Sequence, residues 1–399
     1  MTLFPLRGLR AIEVGTYLAG PYCGMQLADL GADVIKVEPP GGGDPMRSSE
    51  PLLDGESSTF LRLNRNKRSV VLDLKSMEGG EAFKRLIGTA DFLIENMRPG
   101  TMRHLGLDFI DVIQPLNARL IYVAVSGWGQ SGPLAHLPGL DIMAQARSGL
   151  MSITGEPDRG PAKVGVPICD LVCGLYGTIG ALAALNERTA SGRGQLVDVN
   201  LLESGVSLSV WEAGKYFASG QVPVRLGTAH QSSAPYQAVR SSDGAFTLGA
   251  TTPRNWSAAC RVFGLEALEN DELYREVNAR FRNRSRLIAD IEAVTVRRST
   301  AHWIEALNQA GVPCAPIQTY DEVYADAHLQ AREYFWDAPH PTLGAVRQLG
   351  SAIRFSDSAV RRERPGPRLG EDSEGILGEL GYSEPEIKRL LHPGTARSK

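Results

Sequence analysis

The chain has 399 residues, 43% apolar and 22% charged, with a formal net charge of −3; that length exceeds one ordinary core and predicts two domains. A balance this near neutral gives no reason to expect nucleic acid or an anionic membrane as partner, no apolar window is expected to approach the roughly 20 residues of a membrane span, and residues 1–7 lack the basic segment and apolar core of a secretory signal. Five cysteines without a paired framework suit a reducing cytoplasm, and Cys169 and Cys173, with no histidine pair near them at zinc spacing, read as packing residues rather than a metal site.

Strand-like runs occur at residues 9–15, 32–38, 69–74, 91–96, 120–126 and 195–201, with helical patterns between most of them. Such alternation predicts an α/β domain with an open, doubly wound, mostly parallel sheet. Ala19-Gly-Pro-Tyr-Cys-Gly24 follows the first run, where a sheet of this kind keeps its ligand crevice. The G-x-G-x-x-G spacing is absent there, so the sheet is expected to be Rossmann-like without a dinucleotide fingerprint, which disfavours nicotinamide and flavin. Pro39-Pro-Gly-Gly-Gly-Asp-Pro45 is a loop by composition, but no Walker Lys-Ser/Thr follows its glycines. Arg47, Arg62, Arg65, Lys67, Arg68, Lys75, Arg98 and Arg103 are close in sequence. Charges like these either solvate a surface or hold a polyanionic cofactor.

Residues 1–201 are therefore read as the large domain. Residues 202–219 read as one long helix and 221–235 as loop, together a linker over 202–235. A smaller α+β domain is expected at 236–316, with strands at 237–239 and 246–249 and helices near 256–263 and 285–310. From 317 to 399 the chain is irregular and Pro-rich, ending in a helix at 384–391; a tail this extended is expected to pack back on the first domain.

The segment Gly165-Val-Pro-Ile-Cys-Asp170-Leu-Val-Cys-Gly174-Leu-Tyr-Gly177 places one carboxylate where an apolar run gives way to a helix rich in small residues. Asp170 is a candidate N-cap, accepting from the free N–H groups of the next turn, and the positive end of the helix dipole is expected to keep it ionised. Gly174 and Gly177, one and two turns on, leave room for another backbone or a ligand. An approachable carboxylate in that position is either an ordinary cap or a nucleophile.

Several runs taken together resemble the class III CoA-transferases, the family that also holds the α-methylacyl-CoA racemases. They include Leu30-Gly-Ala-Asp-Val-Ile-Lys-Val-Glu38, Gly43-Asp-Pro-Met-Arg47, Glu95-Asn-Met-Arg-Pro-Gly100, Ser126-Gly-Trp-Gly-Gln-Ser-Gly-Pro133, the Asp170 segment and Leu369-Gly-Glu-Asp-Ser373, collinear over nearly the whole chain. The resemblance implies that Asp170 is the nucleophile, attacking an acyl-CoA to give a mixed anhydride and then an aspartyl-CoA thioester. It implies coenzyme A as substrate rather than a resident cofactor, at strand ends of the large domain. Carried over by position are Tyr17, Leu18 and Ala19, Leu72 and Lys75, Asn96 and Met97, and Arg103 or His104, with Arg47 or Arg98 compensating for the missing basic residue after Glu38. An interlocked homodimer is implied as well. A non-catalytic CoA-binding subunit is the alternative from another class, against which the retention of Asp170 argues.

Racemases of the family use a histidine immediately before an acid; the dipeptide here is Leu140-Asp141, so the proton shuttle lacks one arm and transfer is favoured. Asp141 is then a second carboxylate near the site or another helix cap. The run from Arg225 to Tyr236 is similar to that of the glutarate-type dicarboxylate CoA-transferases. Arg225 and His230 either pair with the distal carboxylate of a short diacid or tie down a structured linker. The expected reaction is succinyl-CoA-linked transfer to a C4–C6 dicarboxylate such as glutarate, itaconate, malate or citramalate.

Overall fold

Six of the apolar runs become strands: β1 (Arg10–Val14), β2 (Asp33–Glu38), β3 (Arg68–Val71), β4 (Phe92–Glu95), β5 (Ile121–Ser126) and β6 (Leu196–Asn200). In the computed structural model, which describes residues 3–391, they form one sheet in the order β3-β2-β1-β4-β5-β6. Every pairing is parallel. The last eight residues of the expected tail, 392–399, lie outside the described part.

The register explains why the runs read as continuous apolar stretches rather than alternating ones. Ala11 is aligned with Val34 and Phe92, and Phe92 with Ile121. That row joins the core beneath helices α1 (Ala19–Asp29) and α4 (Ile168–Ser191). The next row, Ile12, Ile35, Leu93 and Tyr122, joins a second core with helix α2 (Met77–Gly88) and the C-terminal helices Ser373–Glu379 and Glu384–Leu391. Both faces are covered, as a parallel sheet requires.

Helix α4 corrects one expectation from the sequence. Its 24 residues, with a mean hydropathy of 1.8 in the most apolar window, make it long and apolar enough to cross a membrane. Cys169, Cys173, Ala181 and Ala184 on this helix nevertheless belong to the core under the sheet.

The chain divides into two units, Met1–Leu150 with Val164–Gly214 and Gln330–Lys399, and Met151–Lys163 with Lys215–Leu329. These boundaries differ from the expected 236–316 domain. Residues after 201 stay with the first unit because helix α5 (Leu201–Ser207) buries Leu201, Ser204 and Gly205. The long helix expected over 202–219 is two, α5 and Val210–Ser219. At the break the Ser207 and Ser209 hydroxyls donate to the backbone carbonyls of Ser204 and Val206, competition that weakens helix continuation. In the second unit the antiparallel strands β7 (Tyr236–Arg240), β8 (Ala245–Gly249) and β9 (Cys314–Pro316) form a small sheet in the order β9-β8-β7. Its core includes Phe246, Trp256, Leu287 and Trp303. The expected helix over 285–310 breaks into Arg284–Thr295 and Thr300–Gln309, the second capped by Ser299.

The Pro-rich return carries a hairpin absent from the sequence reading, Phe335–His340 against Gly344–Leu349. Its neighbours tie into the first unit: Arg361 N donates to Asp29 O, Gly366 N to Leu61 O, and Asp372 N to Ser69 O.

Candidate active site

Strands are added to one side of β1 up to β3 and to its other side from β4 onward, and ligands of open α/β sheets bind outside the carboxyl ends at that switch point. A cavity of about 280 Å³ opens there. Its walls come from the ends of β1 (Gly15, Thr16), β2 (Glu38), β3 (Leu72, Lys75) and β4 (Asn96, Met97).

Three independent contacts fix the loop after β1. Asn96 clamps it, its side-chain oxygen accepting from Thr16 N at 2.9 Å and its amide donating to Thr16 O at 2.8 Å. Asp44 accepts from Tyr17 N at 3.2 Å. Lys36, wholly buried, donates to Gly15 O at 2.7 Å and pairs with Glu13 at 2.8 Å and Asp44 at 3.0 Å. Lys67 pairs with the other Glu13 oxygen at 2.7 Å. Burial opposes ionisation of Glu13, but the two lysines outweigh it and hold the carboxyl below its ordinary value. Burial brings Lys67 down to about 8. The sequence did carry a signal for this network: Glu13 and Lys36 interrupt otherwise apolar strands at positions aligned in register.

Of the residues carried over for CoA, Leu72, Lys75, Asn96 and Met97 line the cavity. Tyr17, Leu18 and Ala19 follow Thr16 directly. Tyr17 has a left-handed backbone (φ 58°) and a half-exposed ring, Leu18 packs near Met25 and Phe60, and Ala19 opens helix α1. Arg47 is otherwise engaged. Its guanidinium grips Glu38 through bonds of 2.7 and 2.6 Å, donates to Pro367 O at 3.0 Å and covers the Phe60 ring. Compensation for the missing basic residue after Glu38 does not come from that side chain. Arg103 points into solvent and pairs with Asp108 at 2.7 Å, and His104 Nδ1 lies 2.7 Å from Gly100 O. The exposed cationic heads of Lys75 and Arg98 have no partner among the described residues.

The start of α4 differs from expectation in an instructive way. Pro167 is the N-cap and Asp170 the third residue of the helix, so Asp170 caps nothing. The capping oxygen comes from Asp141, at the start of helix α3 (Asp141–Arg147): its Oδ1 accepts from Cys169 N at 2.9 Å and Asp170 N at 3.4 Å. Gln145, fully buried, donates to Asp141 Oδ2 at 2.6 Å and accepts from Val164 N at 2.8 Å. Asp141 is thus a cap, but of a helix other than its own. The expected effect of the dipole on Asp170 is also overturned. Burial first, and the nearby Asp141 charge second, push the Asp170 carboxyl up to about 7. That carboxylate makes no hydrogen bond among the described residues. The neighbouring thiols Cys169 and Cys173 are pushed up to about 12 by burial and stay protonated at neutral pH.

Gly174 and Gly177 make room for a backbone, that of helix α1. A Cβ on Gly174 would lie 2.8 Å from Ala19 O, and one on Gly177 would lie 3.3 Å from Cys23 Sγ. The segment Gly15–Ala19 therefore runs from the cavity wall to a point one turn along α4 from Asp170. Among the described residues no side chain caps the start of α1, so the N–H groups of Ala19 and Gly20 carry no capping bond, and Pro21 has none to offer.

Arg225 and His230 lie in the second unit. The Arg225 guanidinium donates to Glu156 O at 3.3 Å and Ser152 O at 3.4 Å and has no carboxylate partner among the described residues. The His230 ring stacks on Tyr236, centroids 4.8 Å apart, with Ser232 N 3.2 Å from its Nδ1. These contacts tie down the local backbone.

Comparison with known proteins identifies the family. The sequence model of CoA-transferase family III matches residues 6–373. The succinyl-CoA:glutarate CoA-transferase of Mus musculus is 37% identical over 98% of this chain and 90% of its own length. The succinate–glutarate CoA-transferase of Agrobacterium fabrum is 38% identical over 94% of this chain and 96% of its own. The crystal structure of a CaiB/BaiF family protein from Brucella suis superposes with a TM-score of 0.85 at 37% identity, covering 95% of this chain and all of that one. With matches of this length in sequence and in fold, the chain belongs to CoA-transferase family III and is an enzyme of that class.

Proposed function

We propose that the chain transfers CoA from succinyl-CoA to a small dicarboxylate, glutarate foremost, with Asp170 as the nucleophile. The observation that carries this reading is a carboxylate with no hydrogen bond of its own among the described residues, one turn along α4 from the place where Gly174 meets Ala19. An Asp170 oxygen attacks the thioester carbonyl; the C–S bond breaks, CoA leaves as thiolate and a mixed anhydride remains. The thiolate then attacks the Asp170 acyl carbon, releasing succinate and leaving an aspartyl-CoA thioester. The acceptor carboxylate attacks that thioester and expels the thiolate, forming a second anhydride. Attack of the thiolate on the acceptor carbonyl gives the new acyl-CoA and frees Asp170. One thioester replaces another of similar energy, so no nucleotide is consumed, and each covalent step is easier than direct exchange.

The N–H groups at the start of α4 are taken by Asp141. Those at the uncapped start of α1 are the available donors for the oxyanion of each tetrahedral intermediate. Lys75 and Arg98, without partners among the described residues, are the cations for the CoA phosphates. Racemisation needs a second proton carrier opposite Asp170. The acid beside it is Asp141, whose oxygens are both engaged, and Leu140 has no proton it can exchange.

The exposed face of α4 supports the dimer reading. Leu175, Tyr176 and Ile179 stand out of the single chain, 40%, 40% and 59% exposed, and a second copy is the proposed cover.

The test is a screen of diacids against succinyl-CoA and acetyl-CoA read by mass, with hydroxylamine trapping and peptide mapping in parallel. The expected result is transfer to C4–C6 diacids with the label on Asp170, and loss of both in Asp170→Asn. Transfer among monocarboxylates alone, or a label elsewhere, overturns the reading.

A further inference from the structure

Gln145 is a wholly buried amide that neither the family resemblance nor the reaction scheme assigns a task. Its orientation is settled by its neighbours. Val164 N can only donate, so the atom facing it at 2.8 Å is Oε1, and the amide nitrogen must then face Asp141 Oδ2, 2.6 Å away. Asp141 in turn meets donors only: Gln145 on one oxygen, the N–H groups of Cys169 and Asp170 on the other. Val164 opens the segment that runs into α4, while Gln145 and Asp141 stand one turn apart on α3. The amide thus joins three pieces of backbone at the point where the nucleophile's helix begins.

The consequence for Asp170 is particular. A helix start ordinarily offers its free N–H groups to a carboxylate in its first turn. Here Asp141 takes them, and the Asp170 carboxylate is left without a donor among the described residues. A carboxylate deprived of donors is the more reactive one toward a thioester carbonyl, because no hydrogen bond has to be given up on attack. This holds only while Asp141 stays turned toward α4. Once released from Gln145, Asp141 is free to rotate away, and the vacated N–H groups can then bind Asp170 itself.

We propose that Gln145 is a positioning residue for the transfer reaction: by fixing Asp141 over the start of helix α4 it keeps the Asp170 carboxylate free of backbone donors and ready to attack. The inference rests on the proposed role of Asp170. Among the described residues, the titratable groups that act on one another at this cluster are Asp141, Asp170 and the thiols of Cys169 and Cys173, and the thiols stay protonated across the working range.

The test compares Gln145→Met with Gln145→Glu in the full-length enzyme. Met fills the space without a donor. Glu can accept from Val164 N with one oxygen and, when protonated, donate to Asp141 with the other. Gln145→Met is expected to lower kcat about ten- to a hundredfold with the KM for acyl-CoA little changed, as for loss of a hydrogen bond to a charged group. Gln145→Glu is expected to come close to the unaltered enzyme's rate measured at pH 6, and to fall behind it as the pH rises, a loss the unaltered enzyme does not show. A purely packing role would move neither the pH profile nor the separation of kcat from KM. Wild-type kcat in Gln145→Met, or a Glu variant as impaired as Met at every pH, overturns the proposal. Should the Met variant fail to fold, the pH profile of the Glu variant decides alone. Hydroxylamine trapping on the unaltered enzyme separates the two readings. No label on Asp170 removes the nucleophile, whereas a label on Asp170 with full turnover in Gln145→Met removes only the positioning role.

Discussion

Asp170→Asn should make the protein inactive and, above neutral pH, more stable. In the folded chain the Asp170 carboxyl is pushed from an ordinary 3.8 up to about 7, by burial first and the Asp141 charge second. The unfolded chain gives up that proton near 4, so between roughly pH 4 and pH 7 the folded state holds more protons than the unfolded state. Stability then falls as pH rises through that window, by up to about 1.4 kcal/mol per pH unit, and levels off above it. The full shift corresponds to about 4 kcal/mol as an upper bound at pH 8, with relaxation and water entry reducing it. Asparagine has the same shape and no charge to desolvate. The variant should match the parent near pH 4 and exceed it by about 2–4 kcal/mol at pH 8. Denaturant melts of both proteins at a series of pH values, followed by a probe of the first unit, measure the difference. Parallel stability curves from pH 4 to pH 8 would refute the reasoning, because they would mean that folding does not perturb Asp170.

Lys36→Met removes the cation from a wholly buried group of charges and strands Glu13 and Asp44 with one lysine between them. The expected loss is about 3–5 kcal/mol of stability in a denaturant melt, and a loss below about 1 kcal/mol would contradict the reading of that network. Asn96→Ala deletes both bonds to the Thr16 peptide, each worth about 1 kcal/mol, and should weaken CoA binding about tenfold in calorimetry with little change in the rate of the bound enzyme. Unchanged affinity would show that the loop after β1 does not need the clamp.

The large sheet was legible because its strands are buried on both sides and therefore read as apolar runs with helical pattern between them. The hairpin at 335–349 was not, since Pro339 demotes a strand and two strands leave little periodic pattern. Asp170 could be picked out from the change of composition around it. Asp141 was singled out as well, but which helix it caps was not legible, because its bonds to Cys169 N and Asp170 N span 28 and 29 residues and join two helices. Arg47 shows the same limit: its spacing suited a phosphate, but only the fold shows that Glu38 and Pro367 already occupy it. By contrast, Asp141 and Gln145 are four residues apart, the spacing of facing residues on one helix, and their pairing is within reach of the amino-acid order alone.

The buried charges near the cavity are better understood as positioning devices than as sources of stability. A desolvated ion pair returns little net free energy, and an apolar replacement of the same volume is often as stable. What apolar side chains cannot do is aim a carbonyl or a peptide N–H. Lys36 holds Gly15 O, Asp44 holds Tyr17 N and Asn96 holds both polar groups of Thr16, on three consecutive residues. The middle of that turn bends through a left-handed residue with a side chain, Tyr17 at φ 58°, a conformation that persists only where its surroundings determine it. Gly15 and Thr16 line the cavity, and Tyr17 leads on toward α1, where Ala19 meets α4 at Gly174. Any drift of the turn would shift cavity wall and helix start together, relative to a carboxylate that must approach a thioester carbonyl to about 3 Å, and misplacement by 1 Å can cost about a hundredfold in rate. A loop with no regular hydrogen bonding of its own therefore needs fixed anchors. Lys36 within β2, Asp44 in the loop after it and Asn96 directly after β4 supply them, and the two charged anchors cost more to remove than they contribute to folding.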